Sequence, residues 1–201
     1  DKKRGRQGAD ESDHELPAQP AAELTPALAP GPFLATRVPV QAGHASLKMP
    51  LLGLGTFRAK GPALQAAVAH ALRRGVRLLD TAEGYKNAHD VAAGLAASGV
   101  PRHEVFIVSK VAKQSMTPAN VRRCVAEQAA LFGGYVDLML LHWPGNANAN
   151  PASPVHAKAR AAAWGALETC LGDGTGPLRA IGVSNFGVTH LEQLLASCRV
   201  R

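Results

Sequence analysis

Val76-Arg77-Leu78-Leu79-Asp80-Thr81-Ala82-Glu83-Gly84-Tyr85 is the stretch on which the fold of this chain turns. A short apolar run of β-type residues gives way to a cluster of polar side chains, and a helical stretch follows over residues 88–98. The same order recurs downstream. Residues 105–108 lead into Ser109-Lys110, residues 136–141 into His142-Trp143-Pro144, and residues 180–183 into Ser184-Asn185-Phe186. Parallel α/β proteins present their chemistry in this way, from the C-terminal ends of successive strands. An Asp, a Tyr, a Lys and a His delivered together make an acid–base constellation.

Outward from this stretch, five apolar runs alternate with five helical segments. The runs are residues 51–54, 76–79, 105–108, 136–141 and 180–183; the segments are 62–74, 88–98, 118–132, 155–171 and 188–198. Thr117 is a good N-cap and Pro118 takes the favoured first helical position, while Leu64, Val68, Ala71 and Leu72 form one apolar stripe. The runs are continuously apolar, as parallel strands covered on both faces require. Five β-α units imply right-handed crossovers and one parallel sheet. That sheet is either an open doubly wound one or the first five-eighths of a (β/α)8 barrel. A dinucleotide-binding open sheet would show Gly-x-Gly-x-x-Gly after its first strand. Here Gly53-Leu54-Gly55 is followed by Thr56-Phe57-Arg58, without the third glycine, and Gly172, Gly174 and Gly176 precede a strand. Chemistry at the ends of several strands suits the barrel. The expected fold class is α/β: a partial (β/α)8 TIM-type barrel with an N-terminal β-hairpin over residues 37–49, the chain ending before closure.

Residues 1–34 read as a disordered leader or linker, polar and then rich in Pro and Ala, and residues 35–201 as the barrel domain. The leader contains acidic residues, lacks an apolar core and does not begin with Met, so it carries no readable targeting signal. With 46% apolar residues and no apolar run of membrane-spanning length, the chain is expected to be a soluble protein with no membrane partner. The leader carries four basic and six acidic side chains, so of a net charge of +7 the remainder holds +9. A basic domain suits a phosphorylated dinucleotide; no motif points to nucleic acid. Cys124, Cys170 and Cys198 form an odd set without a Cys-x-x-Cys pair, which argues for a reducing compartment, with the cytoplasm as expected location. The eight histidines are scattered and His-Glu-x-x-His is absent, so no metal is expected.

Reducing a carbonyl by hydride transfer requires a proton donor for the oxygen. Tyr85 is the candidate, but a free phenol has a pKa of about 10 and is a weak acid near neutrality. An adjacent lysine ammonium favours the phenolate, and a carboxylate keeps that lysine charged. Lys110 and Asp80 are the right types on neighbouring strands, and His142 can hydrogen-bond the carbonyl oxygen. Each residue alone has a plainer reading: Asp-Thr as a helix cap, Tyr as packing, Lys as a solvated charge, His as a satisfied core residue. Four on consecutive units favour catalysis.

Leu52-Gly53-Leu54-Gly55-Thr56-Phe57, Asp80-Thr81-Ala82-Glu83-Gly84-Tyr85-Lys86-Asn87, Val108-Ser109-Lys110, Asp137-Leu138-Met139-Leu140-Leu141-His142-Trp143-Pro144 and Arg179-Ala180-Ile181-Gly182-Val183-Ser184-Asn185-Phe186 resemble the successive signatures of the aldo-keto reductases. The likeness runs from about Arg37 to the last residue. It implies an NADPH-dependent oxidoreductase that reduces aldehydes or ketones to alcohols without a metal, using Asp80, Tyr85, Lys110 and His142. It further implies cofactor contacts at Gly55, Thr56, Asp80, Ser184 and Asn185, and a substrate pocket walled by Phe57 and Trp143 beside His142. Ala88 departs from the acidic residue common there in the family. The resemblance also implies three further β-α units, bearing the residue that stacks on the nicotinamide and the basic residues that hold the phosphates. The chain as given is therefore expected to be a fragment that binds the cofactor weakly. The competing expectation is a catalytically silent half-barrel acting as a binding or regulatory protein. Oligomeric state is left open.

Overall fold

In the computed structural model, residues 34–42, 45–145, 153–173 and 175–200 are described. The expected leader falls outside them but for Leu34, as do Gly43 and His44 of the hairpin turn and Gly174. The hairpin is present on either side of that turn: β1 (Arg37–Ala42) pairs antiparallel with β2 (Ala45–Pro50).

Five parallel strands follow, each trailed by a helix: β3 (Leu54–Gly55), α1 (Gly61–Arg73), β4 (Leu78–Asp80), α2 (Ala88–Ser98), β5 (Phe106–Val111), α3 (Pro118–Leu131), β6 (Leu138–Leu141), α4 (Val155–Leu171), β7 (Ile181–Val183) and α5 (Val188–Leu195). The sheet order is β3-β4-β5-β6-β7, sequential from edge to edge. A doubly wound sheet reverses direction at a switch point; a sheet that never reverses keeps all its helices on one side and curls as a barrel does. The fold is five units of a (β/α)8 barrel, open at both edges.

The strand faces record that opening. Leu79, Met139 and Leu141 point to the helices and are fully buried, whereas Leu78, Leu138 and Leu140, which alternate with them, are only half-buried. Central β5 is buried along its whole length. Leu79, Ile107, Val111, Met139 and Leu141 meet Val68 and Leu72 of α1, Val91 of α2, Val121 and Val125 of α3 and Leu167 of α4 in one core. Thr117 caps α3 as expected, its hydroxyl accepting from the Asn120 N–H at 3.3 Å. Several elements begin later or stop earlier than their sequence pattern. Of the run 51–54 only Leu54 joins the ladder, and Leu51 and Leu52 are exposed. The last helix stops at Leu195, short of the expected 198.

Candidate active site

The parallel register brings the four strand ends into step: Gly55 pairs with Asp80, Asp80 with Val108, and Lys110 with Leu140. Asp80 closes β4, and its carbonyl accepts from both the N–H (3.0 Å) and the hydroxyl (2.9 Å) of Thr56. Lys110 points from the same end of β5. Its Nζ donates to the Asp80 carboxylate and to the Thr81 carbonyl at 3.0 Å, and lies 3.4 Å from the Tyr85 hydroxyl. At 6% exposure this ammonium needs such partners, since an unpaired charge there would be far too costly.

Tyr85 ends a one-turn 3-10 helix, Glu83–Tyr85, and Glu83 fixes that turn. One carboxylate oxygen accepts from the Ala112 N–H at 2.9 Å, the other from the Ser115 hydroxyl at 3.0 Å, and Arg123 stands 3.6 Å away. The Tyr85 ring meets His142 edge-on at 5.6 Å and Phe57 at 5.0 Å, centroid to centroid. His142 follows β6 and stacks on Trp143 at 6.1 Å. Burial holds its imidazole below the ordinary pKa, the Lys110 ammonium pushes the same way, and the Asp80 carboxylate opposes both. Asn185, after β7, adopts a left-handed backbone (φ 61°), tolerated best by Gly, Asn and Asp. Its Nδ2 donates to the His142 carbonyl at 2.8 Å and to the Ser184 hydroxyl oxygen at 3.1 Å.

Asp80, Tyr85, Lys110 and His142 open into one cavity of about 540 Å³. Phe57, Trp143, Ser184 and Asn185 complete its lining. Eight of the ten residues named from the sequence thus surround one space. Gly55 and Thr56 do not. Gly55 is exposed beside the cavity, and Thr56 is fully buried, its hydroxyl and N–H both donating to the Asp80 carbonyl, so its side chain supports the strand end.

Two residues that the sequence reading left without a role shape the site. Glu83 holds the Tyr85 turn. Asn87, 2% exposed, donates to the carbonyls of Thr56 (2.7 Å) and Ala59 (2.9 Å) and accepts from the Thr81 hydroxyl (3.1 Å). An Asn just before a helix reads locally as a cap, so its distant partners leave no signal in the sequence. Among the described residues no three His, Cys, Asp or Glu side chains gather as a metal site, and no described helix is long and apolar enough to cross a membrane.

The model of the aldo/keto reductase family matches residues 51–200. Glyoxal reductase of Bacillus subtilis is 38% identical over 160 residues, 79% of this chain and 53% of that protein. An aldo/keto reductase from Brucella melitensis, solved by crystallography, superposes with a TM-score of 0.69 at 28% identity, over 82% of this chain and 60% of that one. Gox0644, solved as a point mutant in complex with NADPH, superposes at 0.65 with 28% identity, over 82% of this chain and 55% of that one. The chain spans about half the length of the curated relatives it matches.

Proposed function

The chain belongs to the aldo/keto reductase family, and from that premise we propose that it serves the NADPH-dependent reduction of small aldehydes and ketones to alcohols, with Tyr85 as general acid. The observation that carries this reading is the Lys110 ammonium, buried, bonded to Asp80 and 3.4 Å from the Tyr85 hydroxyl inside the shared cavity.

NADPH, when bound, supplies the hydride that makes the carbonyl carbon tetrahedral. As the oxygen gains negative charge, the Tyr85 O–H bond breaks and its proton passes to that oxygen. Lys110 stabilises the phenolate left behind, and Asp80 keeps Lys110 charged and aimed. His142, its pKa lowered by burial, stays neutral near pH 7 and can donate one N–H to the carbonyl oxygen before the proton arrives. The residues present suit the nicotinamide end of the cofactor. Asn185 spends its Nδ2 on His142 and Ser184, which leaves Oδ1 to accept from a carboxamide N–H, while the Ser184 hydroxyl can donate to the carboxamide oxygen. Phe57 and Trp143, both substantially exposed, offer apolar walls to an aromatic or aliphatic aldehyde. Free thiols at Cys124, Cys170 and Cys198 suit a reducing compartment, the cytoplasm in this reading.

Tyr85→Phe tests the mechanism in the full product of the gene. Aldehyde-dependent NADPH oxidation should fall about 10²–10⁴-fold, the usual cost of losing a positioned acid. NADPH affinity should hold, because the phenol acts on the substrate oxygen. Near wild-type turnover would exclude Tyr85 as the acid. A second reading is favoured by the unpaired edges of the sheet: residues 1–201 alone would act as a non-catalytic binding or regulatory half-barrel. Aldehyde turnover by that polypeptide would overturn it.

A further inference from the structure

We propose that Asn87 is a positioning residue: it fixes the Phe57 wall of the cavity against Tyr85, and so sets how tightly the site holds substrates large enough to touch that wall. The proposal rests on the reductase reading above.

Asn87 occupies the N-cap position of α2 but makes no capping hydrogen bond. Its amide turns instead to the segment after β3. Two carbonyls can only accept, so the pair at Thr56 and Ala59 fixes Nδ2 toward them and leaves Oδ1 for the Thr81 hydroxyl. Both donors of one side chain are thus spent on carbonyls that bracket Phe57 and Arg58. Asp80 anchors the turn at Thr56, but the rest of it is weakly held. It lies beyond the last ladder pair of β3, its internal Ala59 N–H to Thr56 carbonyl bond is long at 3.3 Å, and Arg58 sits at φ 64°, a conformation costly for a residue with a Cβ. Phe57 is 65% exposed, with its ring against Tyr85, so no core packing sets its place. The turn sets it, and Asn87 ties the far end of the turn, at Ala59, to the end at Thr56 that Asp80 already anchors. Through the Thr81 hydroxyl, the same amide joins that clamp to the strand end whose carbonyl receives Lys110.

Asn87→Asp separates this role from capping. Aspartate caps a helix as well as asparagine and keeps an acceptor for Thr81, but it sets a carboxylate against two carbonyls. A residue that merely began α2 would tolerate the change. In the full product of the gene, the expected result is amide exchange about tenfold faster or more at Phe57, Arg58 and Ala59, with the amides of α2 unmoved. The KM for benzaldehyde should rise about tenfold while that for propanal rises less than about threefold, with the pH profile of kcat keeping its shape. In a Phe57→Ala background, Asn87→Asp should add less than about twofold to the benzaldehyde KM, because the wall it positions is gone. Equal rises for both aldehydes, full additivity with Phe57→Ala, or unchanged exchange at the turn would each overturn the proposal. If the wild-type protein reduces neither aldehyde, the reductase reading fails, and exchange alone decides whether Asn87 holds the turn. Should the Asp variant not fold, Asn87→Ala is read by the same measurements.

Discussion

His142 is the residue whose charge state the site most directly controls. Burial is the larger cause of its lowered pKa, with Lys110 adding to it, because a second cation beside a buried ammonium is unfavourable. The unfolded chain therefore takes up the proton first as pH falls. The contribution of a neutral His142 to stability is fully present above its unfolded pKa of about 6.5 and is lost as pH drops from there through the lower folded value. Thermal melts over that window should show the wild type losing Tm more steeply than His142→Gln, which has no proton to gain. Identical slopes would show that the imidazole is not desolvated as the geometry requires. The residue types of Asp80, Tyr85, Lys110 and His142 were legible because each lies at the end of an apolar run or in the polar loop that follows it. The seclusion of Thr56 was not, since it depends on Asp80, 24 residues away.

At the scale of the element, α1 and α2 pack tightly where Gly94 of α2 meets Gln65 and Val68 of α1. A Cβ at Gly94 would stand 2.7 Å from both the Gln65 carbonyl oxygen and the Val68 Cβ. In an exposed helix Gly→Ala stabilises by about 1 kcal/mol. Here overpacking, commonly about 1–3 kcal/mol, outweighs that gain because a helix carbonyl cannot rotate aside. Gly94→Ala should therefore lower the urea midpoint without changing the slope, a net loss of about 1–2 kcal/mol. An unchanged or raised midpoint would show that the helices can part at little cost. Helix starts were readable from local chemistry, as at Thr117-Pro118, because a cap binds its own first turn. Strand starts were not: residues 51–53 have the composition of a strand, yet the ladder begins only at Leu54.

At the scale of the molecule, the sheet formed by the described residues has unpaired edges at β3 and β7, and the inward residues Leu78, Leu138 and Leu140 are only half-buried. Exposed Val188, Leu191 and Leu195 add apolar surface on α5, the helix that follows β7. Open edges recruit other strands. The polypeptide of residues 1–201, produced alone, should self-associate, with a mass by light scattering that rises with concentration; a monodisperse monomer at all concentrations would show the edges to be protected. The sequence by itself determined the alternation of strands and helices and the chemical types waiting at the strand ends, because both follow from local periodicity and from which residues interrupt an apolar run. Tertiary structure alone decided the seclusion of Thr56 and the diversion of Asn87 from its helix to a turn about thirty residues away. Each depends on which polar group lies within 3 Å once distant segments pack. A hydrogen bond's choice of partner is set by that packing, and no local pattern records it.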